Sequence, residues 1–132
     1  MLVENKTFNH FKVHTQYSIC EGAIKIDYLK DFSKENQITA LGLCDTSNLC
    51  GALEFSEKIS NSGTQPIIGT QINFKIGDNI GLLPLFALNE QGYKRIIELS
   101  SLSYLNEQSP DPYINFEELF NKTEGVALFS GT

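Results

Sequence analysis

A chain of 132 residues, 41% hydrophobic and 20% charged, is long enough to bury a core as one domain or as part of a larger one, and its composition excludes a disordered tail. A net charge of -6, with 10 Lys and Arg residues spread along the sequence, lacks the basic stripe that direct DNA binding calls for. Cys20, Cys44 and Cys50 have no CxxC spacing and fit a reducing compartment better than a disulfide scaffold; with no apolar run of membrane-span length and no signal-peptide core, the chain is expected in the cytoplasm and off the membrane.

From Phe8 to Thr15, Phe11 and Val13 alternate with His10, Lys12 and His14, which predicts a strand with one apolar and one polar face. Ile26, Leu29 and Phe32 then recur at helical spacing over 26–36. The apolar run 38–45 predicts a strand covered on both faces. It gives way to Asp45-Thr46-Ser47-Asn48, where Asn48 is expected to cap a helix striped by Leu49, Ala52, Leu53, Ser56 and Ile59 and closed at Gly63. Strands are predicted over 65–74 and 82–88, joined by a glycine-rich and Asp-Asn turn, with Pro84 marking an edge or a bulge. Asn89 caps a third helix with Tyr93, Ile96, Ile97 and Ser100 on one face. Residues 106–112 read as a loop, 114–121 as a short helix, and 125–132 as the start of one more buried strand, at which the chain looks cut.

This order predicts an α/β fold with a mainly parallel sheet and right-handed crossovers. Working residues in such folds gather at the carboxyl ends of strands, where His14, Asp45, Gln71 and Thr132 fall. Two imidazoles at i and i+2 on one strand face lie about 7 Å apart and can converge on a metal. Here His10 and His14 are i and i+4, and the intervening Lys12 offers a cation instead of a lone pair. Glu21 and Asp45 add carboxylates at strand-to-helix junctions, but the chain holds 2 histidines, whereas a catalytic zinc takes three protein ligands plus an open position. No Gly-rich phosphate loop, GxSxG or HExxH is present.

Five blocks in order, "HFKVHTQYSICEGAIKIDYL", "ITALGLCDTSNLCGALEFSEKI", "PIIGTQINF", "LFALNEQGYKRIIELSS" and "GVALFSGT", resemble the PHP (polymerase and histidinol phosphatase) domain family, in the form found at the N-terminus of bacterial DNA polymerase III alpha subunits. The resemblance implies a PHP-type (βα) barrel with helices outside, of which residues 1–132 are the N-terminal part, the barrel incomplete and the polymerase core absent. In metal-binding members the first motif, His-x-His, falls on Lys12 and His14, and a following acid on Glu21. Thr-Asp-His-Gly-Asn falls on Cys44, Asp45, Thr46, Ser47 and Asn48, and Gly-x-Glu on Gly69, Thr70 and Gln71. A further histidine falls on Leu82, and a closing Ser-Gly-Cys on Ser130, Gly131 and Thr132.

The resemblance thus implies a vestigial PHP site at Lys12, His14, Glu21, Asp45, Thr46, Gln71 and Leu82, with no catalytic residue, no metal ligand set and no cofactor in this segment. The full subunit it implies is a DNA-directed DNA polymerase whose separate core uses Mg. Its implied partners are the rest of that subunit and a separate proofreading exonuclease. The rival expectations are an active metal-dependent phosphoesterase or exonuclease of the PHP type, and a free-standing binding module. Lys12 is expected either to place its ammonium between Glu21 and Asp45, where the metal is lost, or to snorkel outward from the strand end.

Overall fold

The computed structural model describes residues 8–105 and 110–130, so part of the 106–112 loop, and Gly131 and Thr132 of the closing motif, lie outside the described residues. Their elements are α1 (Ile26–Glu35), β1 (Ala40–Thr46), α2 (Ala52–Asn61), β2 (Gln65–Ile76), β3 (Asn79–Ala87), α3 (Glu90–Tyr104), β4 (Ile114–Asn115), a 3-10 turn (Phe116–Leu119) and β5 (Val126–Leu128). The expected α/β class holds. The sheet is mixed: β1 runs parallel to β2, and β4 parallel to the end of β2, while β2–β3 is an antiparallel hairpin and β5 pairs antiparallel to β3. Among the described residues no helix is long and apolar enough to cross a membrane.

The periodicity of each element decides which side it buries. Ile26 and Leu29 of α1, Leu41 and Leu43 of β1, and Ala52, Phe55 and Ile59 of α2 form one buried cluster. Ile72 and Phe74 of β2, Leu85 of β3, and Ile96 and Leu99 of α3 form a second with Ile114 and Leu119. Even-numbered residues of β2 therefore face the helices, and the alternation of a strand sends Gly69, Gln71 and Asn73 to the opposite face.

Three predicted elements are corrected. Residues 8–15 form no regular strand. The segment leans on the edge of β1 through two backbone bonds, Gly42 N–H to the His10 carbonyl (2.7 Å) and Cys44 N–H to the Val13 carbonyl (2.8 Å). A step of three residues, His10 to Val13, answers a step of two, Gly42 to Cys44, because Val13 N–H folds back to the Phe11 carbonyl. That kink ends the period of two: Phe11 packs against the rings of Phe86 and Phe129, while Val13 joins the α1–α2 cluster. Asn48 does not cap α2, which begins at Ala52 after Gly51; it accepts from Cys50 N–H and donates to the carbonyls of Tyr17 and Thr46, a turn lock in place of a cap. The predicted helix 114–121 opens as β4 and continues as a single 3-10 turn. Asn89, in contrast, caps α3 as expected, accepting from Gly92 N–H at 2.9 Å.

Lys58 ties α2 to α1, meeting Asp27 at 2.7 Å and Glu54 at 2.8 Å. Its ammonium holds both carboxyls below their ordinary values of 3.8 and 4.5, and they hold it above 10.5. The hydrogen bond to Glu54 raises the Tyr17 phenol above 10.0. Depressed carboxyls contribute stability that is lost as pH falls through their folded values, and the raised Lys and Tyr contribute stability that is lost as pH rises through theirs. Urea midpoints are therefore expected to be flat near neutrality and to fall on the acid side below about 4.5 and on the alkaline side above about 10. Lys58→Met should shallow the acid limb, and added salt should mask the difference between the two proteins.

Candidate functional site

Register sets the site. Thr46 at the end of β1 lies opposite Gln71 of β2, which lies opposite Pro84 of β3; in the next row on the same face Asn73 is paired with Leu82. Thr46, Gln71 and Leu82 thus share the sheet face away from the helices. Gln71 is 3% exposed and Leu82 37%.

The loop after His14 closes over this row. Asp45 is fully buried, as are Thr15 and Ser18. Its Oδ1 accepts from the Thr15 backbone N–H (2.6 Å) and the Ser18 hydroxyl (2.7 Å), and its Oδ2 from the Thr15 hydroxyl (2.7 Å). Ser18 Oγ also accepts from Thr46 N–H at 3.0 Å. Next to this node runs a second chain: Gln71 Nε2 donates to Thr46 Oγ1 at 2.7 Å, and Thr46 Oγ1 donates to Glu21 Oε2. Ser47, at φ 57°, donates its N–H to the Gln71 carbonyl (2.8 Å), and its own carbonyl accepts from the Tyr104 hydroxyl (2.7 Å).

The expected lysine bridge is not what these acids use. Lys12 is exposed and, among the described residues, forms no ion pair. Asp45 is satisfied by neutral donors and Glu21 by a hydroxyl. Burial pushes the neighbouring Cys44 thiol up to about 12, the charge of Lys12 opposing the rise and that of Asp45 adding to it; a thiol so placed is unreactive. His14 is half-buried, and its Nδ1 is buried without a hydrogen-bond partner among the described residues. Thr15 and Tyr104 were not predicted as parts of the site. The Thr15–Asp45 contact spans 30 positions and the Tyr104–Ser47 contact 57, and no local pattern announces either.

Chemically, a threonine hydroxyl donating to a carboxylate has the form of a nucleophile and its base. Here the Gln71 amide donates into the same oxygen and holds it in place. The arrangement cross-links the end of β1 and the middle of β2, where Gln71 sits instead of near the strand end expected from the sequence, to the loop at Glu21.

A parallel β1–β2 pair flanked by helices, with polar side chains at the end of β1 and a folded-over first segment, is the frame of the site, and the chain matches the PHP domain over residues 10–132 and belongs to that family. It is 38% identical over 138 residues to DNA polymerase III subunit alpha of Caulobacter vibrioides, covering 97% of this chain and 12% of that protein. The same subunit of Helicobacter pylori is 34% identical over 135 residues, 96% of this chain and 11% of that protein; that of Aquifex aeolicus is 35% identical over 138 residues, 92% and 12%. The chain spans about an eighth of the length of these relatives. A crystal structure of a proposed metal-dependent phosphoesterase from Bifidobacterium adolescentis matches with a TM-score of 0.53 at 16% identity, over 88% of this chain and 43% of that one, a likeness of fold.

The metal that such folds bring to mind is not matched by the residues present. Among the described residues, no group of three or more His, Cys, Asp and Glu side chains is placed to hold an ion. Lys12 and Leu82 supply no lone pair, and Thr46 and Gln71 supply neutral oxygens of low affinity for a transition metal. Both Asp45 oxygens already accept hydrogen bonds.

Proposed function

We propose that this chain is the PHP segment of a cytoplasmic replicative polymerase alpha subunit and serves there as a scaffold and protein-docking element, with no phosphoesterase chemistry of its own. The observation that carries the reading is the occupation of the family's ligand positions by Thr46 and Gln71, hydrogen-bonded to each other and to Glu21. Nucleotidyl transfer and its Mg ions belong to a polymerase core elsewhere in the subunit. The partners are the remainder of that subunit and a proofreading exonuclease, and the net charge of -6 disfavours direct contact with DNA phosphates.

Metal content after dialysis tests the reading. Well below about 0.1 equivalent of Zn or Mn is expected, with no hydrolysis of p-nitrophenyl phosphate or single-stranded DNA. Retention of more than about half an equivalent, with turnover that a chelator abolishes, would establish the phosphoesterase instead. Lys12→His is expected to take up no tightly bound Zn, because Thr46, Gln71 and Leu82 remain; high-affinity uptake by this single variant would show that the ligand positions are misassigned.

A further inference from the structure

We infer that the Gln71–Thr46–Glu21 chain is a clamp that joins three parts of the fold by hydrogen bonds alone, and that it excludes a metal ion from the position it occupies. The inference rests on the metal-free reading above and adds a device to it. Each link spans 25 positions in sequence, so the chain ties β2, β1 and the 15–24 loop at one point. Its polarity is fixed by the donor inventory. The amide can only donate through Nε2, the carboxylate can only accept, and a hydroxyl has one proton with which to pass the direction on. The run from amide through hydroxyl to carboxylate ends on a negative charge, which strengthens the final bond.

The same inventory explains the exclusion. A carboxylate at 71 would aim a second acceptor at a hydroxyl whose single proton is already given to Glu21. An imidazole at 46 is too large to repeat the short bridge from β2 to the loop. Single changes toward metal ligands therefore break the clamp before they complete an ion site. The neighbouring node meets the clamp through the backbone of Thr46, whose N–H donates to Ser18 Oγ, and leaves the Thr46 hydroxyl to it: Asp45, beside Thr46 on β1, is bound to Thr15 and Ser18, and Lys12 is exposed.

Amide hydrogen exchange, read by mass spectrometry on the protein as its gene encodes it, tests the clamp locally. Thr46→Val, which keeps the shape and removes the hydroxyl, should speed exchange in 15–22 and 44–48 by about 5–10-fold and leave α3 unchanged. Gln71→Glu should act likewise, whereas Thr46→Ser should stay within about twofold of the unaltered protein. If Thr46→Val does not accumulate, Gln71→Met reads the same link. EDTA should leave the unaltered protein's exchange as it was. Exchange within about twofold for both Thr46→Val and Gln71→Met, in protein without bound metal, overturns the clamp and leaves the metal-free reading standing. Acceleration by EDTA, matched by measured metal, overturns both.

Discussion

Asp45→Ala is expected to cost about 3–5 kcal/mol, read from urea denaturation. The carboxylate is fully buried, and its removal strands the Thr15 N–H, the Thr15 hydroxyl and the Ser18 hydroxyl. Each stranded buried donor costs about 1–3 kcal/mol, and water entering the space offsets part of the sum. Asp45→Asn should fall at about half of that loss, since one oxygen still accepts while the amide nitrogen faces a donor. Lys12→Met separates the accounts of this acid. If the lysine balanced Asp45, losing it would leave an uncompensated buried charge at a cost of about 3–5 kcal/mol. With Asp45 held by neutral donors and Lys12 exposed, the change should stay within about 0.5 kcal/mol. The double variant should be additive within the same margin of about 0.5 kcal/mol.

What could be read from the sequence was what short-range periodicity controls. The helix at 26–36 and the turn between β2 and β3 follow from spacing and from residues such as Gly77, at φ 59°. Asn89 marks the start of α3 because its side-chain oxygen has only to reach Gly92 N–H, three residues on. The same rule failed at Asn48, where the polar oxygen serves Cys50 and the amide reaches back to Tyr17. At 114–121 the expected short helix gives way to pairing of Ile114 and Asn115 with β2. The first segment failed for a local reason: one folded-back bond at Phe11–Val13 puts Phe11 and Val13 on different sides, against Phe86 and Phe129 and against the α1–α2 cluster. The nearness of Thr46 and Gln71 depends on the β1–β2 register, which no single segment encodes; it was accessible through the resemblance of two motifs to one family. The donors around Asp45 were hidden because Thr15 and Ser18 are ordinary loop residues until the fold brings them together.

That first segment carries the second large effect. Gly42→Val is expected to destabilise by about 3 kcal/mol and to detach residues 10–13 from β1. A Cβ at Gly42 would meet the carbonyl oxygen, carbonyl carbon and Cα of Phe11, all of them backbone, so no rotamer change relieves the overlap. Displacing the segment breaks the Gly42–His10 and Cys44–Val13 bonds, each worth about 1 kcal/mol, and withdraws Val13 from the buried cluster of α1, β1 and α2. The Gly42 and Cys44 amides should then exchange faster, while the hairpin amides of β2 and β3 keep their protection. Gly63→Ala is the control. A Cβ there meets nothing within 4 Å, but the backbone sits at φ +85°, so its cost of about 1 kcal/mol is conformational and leaves Gly42 and Cys44 protected. An equal response of those two amides in both variants would mean that the first segment is held by general stability, and that Gly42 has no special part in seating Lys12 and His14.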